Sequence, residues 1–131
     1  MRALRAIVAD DDPLVLPVIT TVLSDAGFEV LRATDSDIAI DLLERSEEID
    51  LLFTDVVMPG KVDGLGLARV ADARWPSIAI VVSSGRIVPK PQMLPMGAVF
   101  LPKPFYADHI LWFACRALGA KGKRLPETGD Q

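Results

Sequence analysis

Leu51-Leu52-Phe53-Thr54-Asp55-Val56-Val57-Met58-Pro59-Gly60 is an apolar run that ends on a carboxylate and then meets a turn. Asp50 before it and Pro59-Gly60 after it delimit a short strand buried on both faces, with Asp55 at its C-terminal end. Strands of this kind belong to parallel sheets covered by helices on both sides. Ligands of such sheets bind just beyond the carboxyl ends of the strands, which makes Asp55 a candidate for chemistry. Taken alone, it is equally well the cap of the segment that follows.

Upstream, Leu4 to Ala9 is apolar apart from Arg5 and stops at Asp10, Asp11 and Asp12, a second buried strand ending in carboxylates. Asp12 is placed to cap a helix whose first residue is Pro13. Val15, Val18, Ile19, Val22, Leu23 and Ala26 share one helical face, and Gly27 stops the helix. Pro17 in a helix interior would cost about 3 kcal/mol, so the first turn is expected to be distorted or to start late. Phe28 to Ala33 then reads as a strand, and Asp35 to Arg45 as a helix with Ile38, Ala39, Leu42 and Leu43 on one side.

Downstream, a loop through Gly60-Lys61-Val62-Asp63-Gly64 leads into a helix that buries Leu67, Ala68 and Ala71 and ends near Arg74, before Pro76. Ile78 to Val82 is a fourth buried strand, closed by Ser83-Ser84-Gly85. From Arg86 to Met96, Pro89, Pro91 and Pro95 leave a loop with at most a turn or two of helix. Ala98 to Leu101 is the last strand. Pro102-Lys103-Pro104 follows, then a helix from Tyr106 to Leu118 with Ile110, Phe113, Ala114 and Ala117 inward.

Strands alternating with helices give an α/β doubly wound parallel sheet of five strands, for which the flavodoxin-like order 2-1-3-4-5 is expected, here with a shortened or broken fourth helix. That order makes the first and third strands neighbours, which sets Asp10 and Asp11 beside Asp55. The 131 residues suffice for one domain, read as 1–119, with 120–131 as a loose tail in which Lys121, Lys123 and Arg124 are solvated. A formal charge of -4 argues against a nucleic-acid footprint. With no basic-then-apolar leader and no membrane-length apolar run, a soluble cytoplasmic protein is expected. Cys115 is the only cysteine, which excludes an intramolecular disulfide and a thiolate metal cluster and suggests a small buried core residue.

Three carboxylates at one point repel one another unless a cation sits among them, and an all-oxygen ligand set suits Mg²⁺. Ser83 brings a hydroxyl to the same sheet edge and Lys103 a fixed positive charge. Phosphoryl transfer to a carboxylate calls for this set, because its transition state spreads charge over three equatorial oxygens.

With those residues in place, the chain resembles the receiver domain of two-component response regulators, of the stand-alone, CheY-like kind. The likeness spans residues 4 to about 118 and rests on Asp10-Asp11 after the first strand, Asp55 followed by Val-Val-Met-Pro-Gly, Ser83 closing the fourth strand, and Lys103-Pro104-Phe105 after the fifth. The resemblance implies that Asp55 accepts a phosphoryl group from a histidine kinase or a histidine phosphotransfer protein. It implies that Asp11, Asp55 and the Val57 carbonyl bind Mg²⁺ directly, with Asp10 acting through water. Lys103 would neutralise the phosphoryl group and Ser83 would swing toward it. Phe100 falls where the family places its rotating aromatic, with a plain core position as the alternative. Such a domain catalyses only its own phosphorylation and dephosphorylation. With no output domain attached, the signal is expected to leave by contact with an unidentified target protein or by phosphate relay, and dimerisation is open.

Two departures from the family pattern stand out. Val57 and Gly85 flank the expected phosphoryl position, and neither has a side chain able to orient a water. The proline-rich segment erodes a helix the family commonly uses for output, which moves attention to Asp108, Trp112 and Arg116 on the outward side of the last helix, Trp112 above all. Among rivals, a haloacid-dehalogenase-like aspartyl-phosphate hydrolase would need a second acid where Val57 stands. A flavin-binding flavodoxin-like protein would not place three acids in its phosphate loop. A pseudo-receiver used only for docking or dimerisation remains the alternative. His109, the single histidine, is read as a surface residue rather than a phosphodonor.

Overall fold

The structure, a computed structural model, describes residues 2–125. Five strands, β1 (Arg5–Ala9), β2 (Glu29–Ala33), β3 (Leu51–Asp55), β4 (Ala79–Ser84) and β5 (Val99–Pro102), alternate with α1 (Val15–Asp25), α2 (Ser36–Arg45), α3 (Gly64–Arg74) and α4 (Ala107–Ala120). The strands form one parallel sheet in the order β2-β1-β3-β4-β5, as the alternation requires. Between β4 and β5 the crossover carries only the 3₁₀ turn Pro91–Met93 in place of an α-helix. Three prolines remove the amide donors that a helix there would need.

The pleat divides the core. Ile7, Ala9, Leu52 and Ile80 point to the side covered by α2 and α3, whereas Ala6, Val8, Leu51, Phe53 and Val81 point to the side covered by α1 and α4. Both faces are covered, so the inner strands β3 and β4 are buried at every residue.

The first helix starts late. Asp12 takes the capping bonds expected of it: its carboxylate accepts from the Leu14 N–H at 2.8 Å and its carbonyl from the Val15 and Leu16 N–H groups at 3.2 and 3.0 Å, while α1 proper begins at Val15, two residues after Pro13. Pro17 then falls directly after the first i→i−4 bond, from the Leu16 N–H to the Asp12 carbonyl at 3.0 Å, so its missing N–H forfeits one bond of the opening turn. This start also turns the helix, so that Leu16, Ile19 and Leu23 are buried while Val18 is half exposed. In α2, Asp35 caps through its carboxylate at 2.7 Å from the Ile38 N–H, and Ala39 and Leu43 face inward with Ile38 turned to solvent.

Two further expectations are corrected at the C-terminal end. Cys115 is exposed, because it sits one helical step past Ala114, off the inward stripe of Ile110, Ala114, Ala117 and Leu118. The basic cluster is not simply solvated: Lys121 Nζ donates to the Pro76 carbonyl at 2.8 Å and Lys123 Nζ to Asp50 at 3.1 Å. Helix α4 runs to Ala120 and Leu125 packs on the α1/α4 side of the core, so the first part of the expected tail is docked. Residues 126–131 of that tail lie outside the described residues.

Candidate functional site

The C-terminal ends of β1, β3, β4 and β5 meet at one edge of the sheet. Asp55 closes β3 and is paired in register with Ser83 on β4, so their side chains share a face. Oxygens of Asp10, Asp11 and Asp55 all lie within 4.8 Å of one another. Lys103 reaches in from beyond β5, its Nζ 3.2 Å from Asp10 Oδ2 and 3.5 Å from Asp55 Oδ1. The expected residues Asp10, Asp11, Asp55 and Lys103 are therefore brought together, with Ser83 alongside.

Each group is held by local chain geometry. Asp10 is buried and its Oδ1 accepts from the Asp12 N–H at 2.9 Å, so both of its oxygens are engaged once Lys103 is counted. Asp11, by contrast, is exposed and makes no hydrogen bond among the described residues. The Val56 N–H donates to the Ser83 carbonyl at 2.8 Å and the Lys103 N–H to the Ser84 carbonyl at 3.0 Å, which extends the ladder one step beyond the strands and fixes both loops. Gly64 closes the β3 loop with its N–H on the Val56 carbonyl at 2.8 Å, and a Cβ there would overlap the Asp55 carbonyl. The requirement at Gly64 is a close backbone approach, which only glycine allows.

Burial pushes the Asp55 carboxyl above its ordinary range and the Asp10 charge adds to this, while Lys103 and the Val56 N–H pull it back. Asp55 is 8% exposed, enough to be reached from a cavity of about 440 Å³ that Asp11, Val57, Ser84 and Lys103 also line. The Ser83 hydroxyl is buried and, among the described residues, has no hydrogen-bond partner. Such a group costs about 1–3 kcal/mol; the serine that lines the cavity with Asp55 is its neighbour Ser84.

A divalent cation fits this donor set. The oxygens of Asp10, Asp11 and Asp55 lie close enough together for a hard cation to be held among them, directly or through water. The donor set is hard and all-oxygen, as Mg²⁺ prefers.

Phe100 is half-buried against the α2/α3 side of the core, opposite Val82 in the ladder. Trp112 is exposed on α4, and His109 is exposed with its Nδ1 accepting from the Tyr106 N–H at 3.0 Å. Neither touches the acidic cluster.

Asp50, at the opposite edge of the sheet, was legible only as the residue bounding β3. It is fully buried and accepts from the Arg5 N–H at 2.8 Å, from both Arg2 guanidinium nitrogens at 2.9 and 3.0 Å, and from Lys123 at 3.1 Å. Burial acts to raise its pKa, but these four donors outweigh it and hold the carboxyl below the usual range.

A family model of the response regulator receiver domain matches residues 6–112. The chain is 33% identical over 133 residues to the DNA-binding transcriptional regulator NtrC of Bradyrhizobium sp. (strain RP501 Parasponia), covering 99% of this chain and 27% of that protein. It is 32% identical over 102 residues to the transcriptional regulatory protein CpxR of Escherichia coli K12, covering 77% of this chain and 43% of that protein. The chain spans about a quarter of the length of the NtrC and NtrX relatives it matches. Among solved structures, a response regulator receiver protein from Sinorhizobium medicae WSM419 superposes with a TM-score of 0.84 at 29% identity, covering 92% of this chain and 98% of that one. The receiver domain of the hybrid histidine kinase CckA superposes with a TM-score of 0.72 at 31% identity, covering 87% of this chain and 98% of that one. No helix of the described residues is long and apolar enough to cross a membrane.

Proposed function

The chain belongs to the response regulator receiver domain family, and from that membership we propose that Asp55 is its phospho-acceptor, fed by a histidine kinase or a histidine phosphotransfer protein. The observation that carries this reading is the pairing of a nearly buried Asp55 with Ser83, whose buried hydroxyl lacks a partner within the fold. A phosphoryl group on Asp55 would supply that partner.

In the transfer, an Asp55 carboxylate oxygen attacks phosphorus in line with the bond to the donor nitrogen. That bond breaks, and its electron pair leaves with the imidazole. Lys103 stays beside the acceptor and balances the charge gathering on the equatorial oxygens, as its position between Asp10 and Asp55 allows. Asp11, Asp55 and the Val57 carbonyl would hold Mg²⁺, with Asp10 acting through water; the metal, when bound, offsets the charge of carboxylates and phosphate together. Ser83 then donates to a phosphoryl oxygen; Phe100, the aromatic of the switch on this reading, pairs with Val82 and so answers from the other face of the sheet.

Val57 lines the cavity without a polar group and Gly85 has no side chain, so neither assists water in hydrolysing the product. The domain turns over no outside substrate on this reading and catalyses only its own phosphorylation and dephosphorylation. Incubation with Mg²⁺ and acetyl phosphate, followed by intact mass, should add one phosphoryl group to the wild-type protein and none to Asp55→Ala. Absence of that adduct in the wild type would leave a docking or dimerising module that is not phosphorylated.

A further inference from the structure

One cation in the wall of the acidic cavity has no partner. Arg86 lines it with Asp11, Asp12, Asp55 and Lys103, yet its guanidinium makes no ion pair or hydrogen bond among the described residues. Its backbone is fixed, because the Arg86 and Ile87 N–H groups both donate to Ser84 Oγ at 3.1 Å. Its side chain is free and exposed. Lys103, in contrast, is already shared between Asp10 and Asp55. Between the two cations stands Gly85, where a Cβ would come within 3.4 Å of the Lys103 Cβ, so the missing side chain leaves the space above Lys103 open to Arg86.

Charge gives that space a use. Asp10, Asp11 and Asp12 remain negative when Asp55 carries a phosphoryl group, which adds about two negative charges of its own at neutral pH. Lys103 and a divalent cation leave roughly two negative charges uncompensated at this edge. A guanidinium offers a planar fork that engages two phosphoryl oxygens at once, and in a partly water-excluded cavity such contacts are stronger than neutral hydrogen bonds.

We propose that Arg86 is a second cationic ligand of the phosphoryl group, folding over Asp55 from the β4 side once that group is in place. The inference rests on Asp55 being the phospho-acceptor. An unpaired arginine at the mouth can stand aside while the donor enters and close afterwards, which a side chain already tied to a carboxylate cannot do without breaking that contact. Arg86 thereby sets the affinity of the site for the transferred group and leaves the metal to the acids.

The probe is fluoroberyllate with Mg²⁺, which stands in for the phosphoryl group on a carboxylate, titrated by amide NMR. Arg86→Ala is expected to weaken fluoroberyllate binding about tenfold at low ionic strength, with a smaller loss at high salt and with Mg²⁺ affinity in the absence of fluoroberyllate not reduced. Arg86→Lys should recover part of the loss, and the thermal midpoint of both variants should match the wild type. Equal fluoroberyllate affinity in Arg86→Ala and wild type, at any salt, overturns the proposal. A loss equal in both variants and accompanied by a fallen midpoint also overturns it, by making Arg86 a structural residue. A wild-type protein that binds fluoroberyllate while Arg86→Ala is unaffected fails this inference alone. A wild type that neither binds fluoroberyllate nor gains mass with acetyl phosphate fails the reading of Asp55 and this one with it.

Discussion

Asp55 and Ser83 are register partners across the β3–β4 ladder, one a carboxylate whose pKa burial raises and the other a hydroxyl shut in without a partner. Ser83→Ala removes an unsatisfied buried hydroxyl at almost constant shape, so it should raise stability by about 1 kcal/mol in the unphosphorylated protein. The same change should abolish the chemical-shift response that fluoroberyllate induces in β4 and β5. A Ser83→Ala protein less stable than wild type by denaturant titration would show that the hydroxyl has a partner in solution.

Asp11 is the acid with no ties of its own: it is exposed, and no donor among the described residues reaches it. Asp11→Ala should therefore leave the fold intact, or slightly stabilised by relief of like charge, while removing most Mg²⁺ affinity. Isothermal titration with Mg²⁺ checks this. Undiminished affinity would place the metal elsewhere.

At the other edge of the sheet Asp50 ties the strands to both ends of the described chain through Arg2 and Lys123. Its folded pKa lies below its unfolded value, so it contributes stability above the unfolded pKa that is lost as pH falls through the folded one. Asp50→Asn should cost about 2 kcal/mol at pH 7, since it removes a buried charge and leaves Lys123 and Arg2 underpaired. The gap between variant and wild type should close as pH falls well below 4, into the range where the wild-type carboxyl is also protonated. A gap that persists unchanged at low pH would mean that shape rather than charge is what Asp50 supplies. Trypsin should also cut the variant sooner at Lys123, whose side chain Asp50 holds in the wild type.

The placement of the acids was legible because it follows from chain direction. Runs such as Leu51–Thr54 can only be inner parallel strands, and once β1 and β3 are neighbours, Asp10, Asp11 and Asp55 must share an edge. What escaped is what depends on contacts distant in sequence. An Asp before an apolar run reads as punctuation, and nothing near Asp50 announces that Arg2 and Lys123 will converge on it. The same holds for Lys121, whose partner is a carbonyl 45 residues away. Helix phase was the other blind spot: Val18 and Ile38 lie within a step of the inward stripe, and apolar spacing alone does not say on which side of that stripe the sheet ends. Gly64 carried a readable signal, a glycine opening a helix directly after the acceptor loop, whose meaning only the approach to Asp55 reveals.

Trp112 projects from α4 with 54% of its surface exposed. Its ring meets Phe113 edge-on at 5.0 Å and carries the Arg116 guanidinium at 5.0 Å, so it is oriented by neighbours on its own helix and not by the core. A tryptophan held in one orientation before binding pays less entropy when covered, and tryptophan is among the side chains most enriched at binding hot spots. The crossover between β4 and β5 has no α-helix to offer, which leaves α4 as the longest regular element packed on the sheet face that carries Ser83. A rearrangement at Ser83 would reach a partner most directly there. Trp112→Ala is therefore expected to leave phosphorylation of Asp55 and the thermal midpoint nearly unchanged, and to weaken partner binding or self-association by at least about 1 kcal/mol. Analytical ultracentrifugation with and without fluoroberyllate reads self-association, and titration with the cognate phosphotransfer protein reads the partner. A drop of several degrees in midpoint with both interactions intact would make Trp112 a structural cover over Phe113 and remove it from the binding surface.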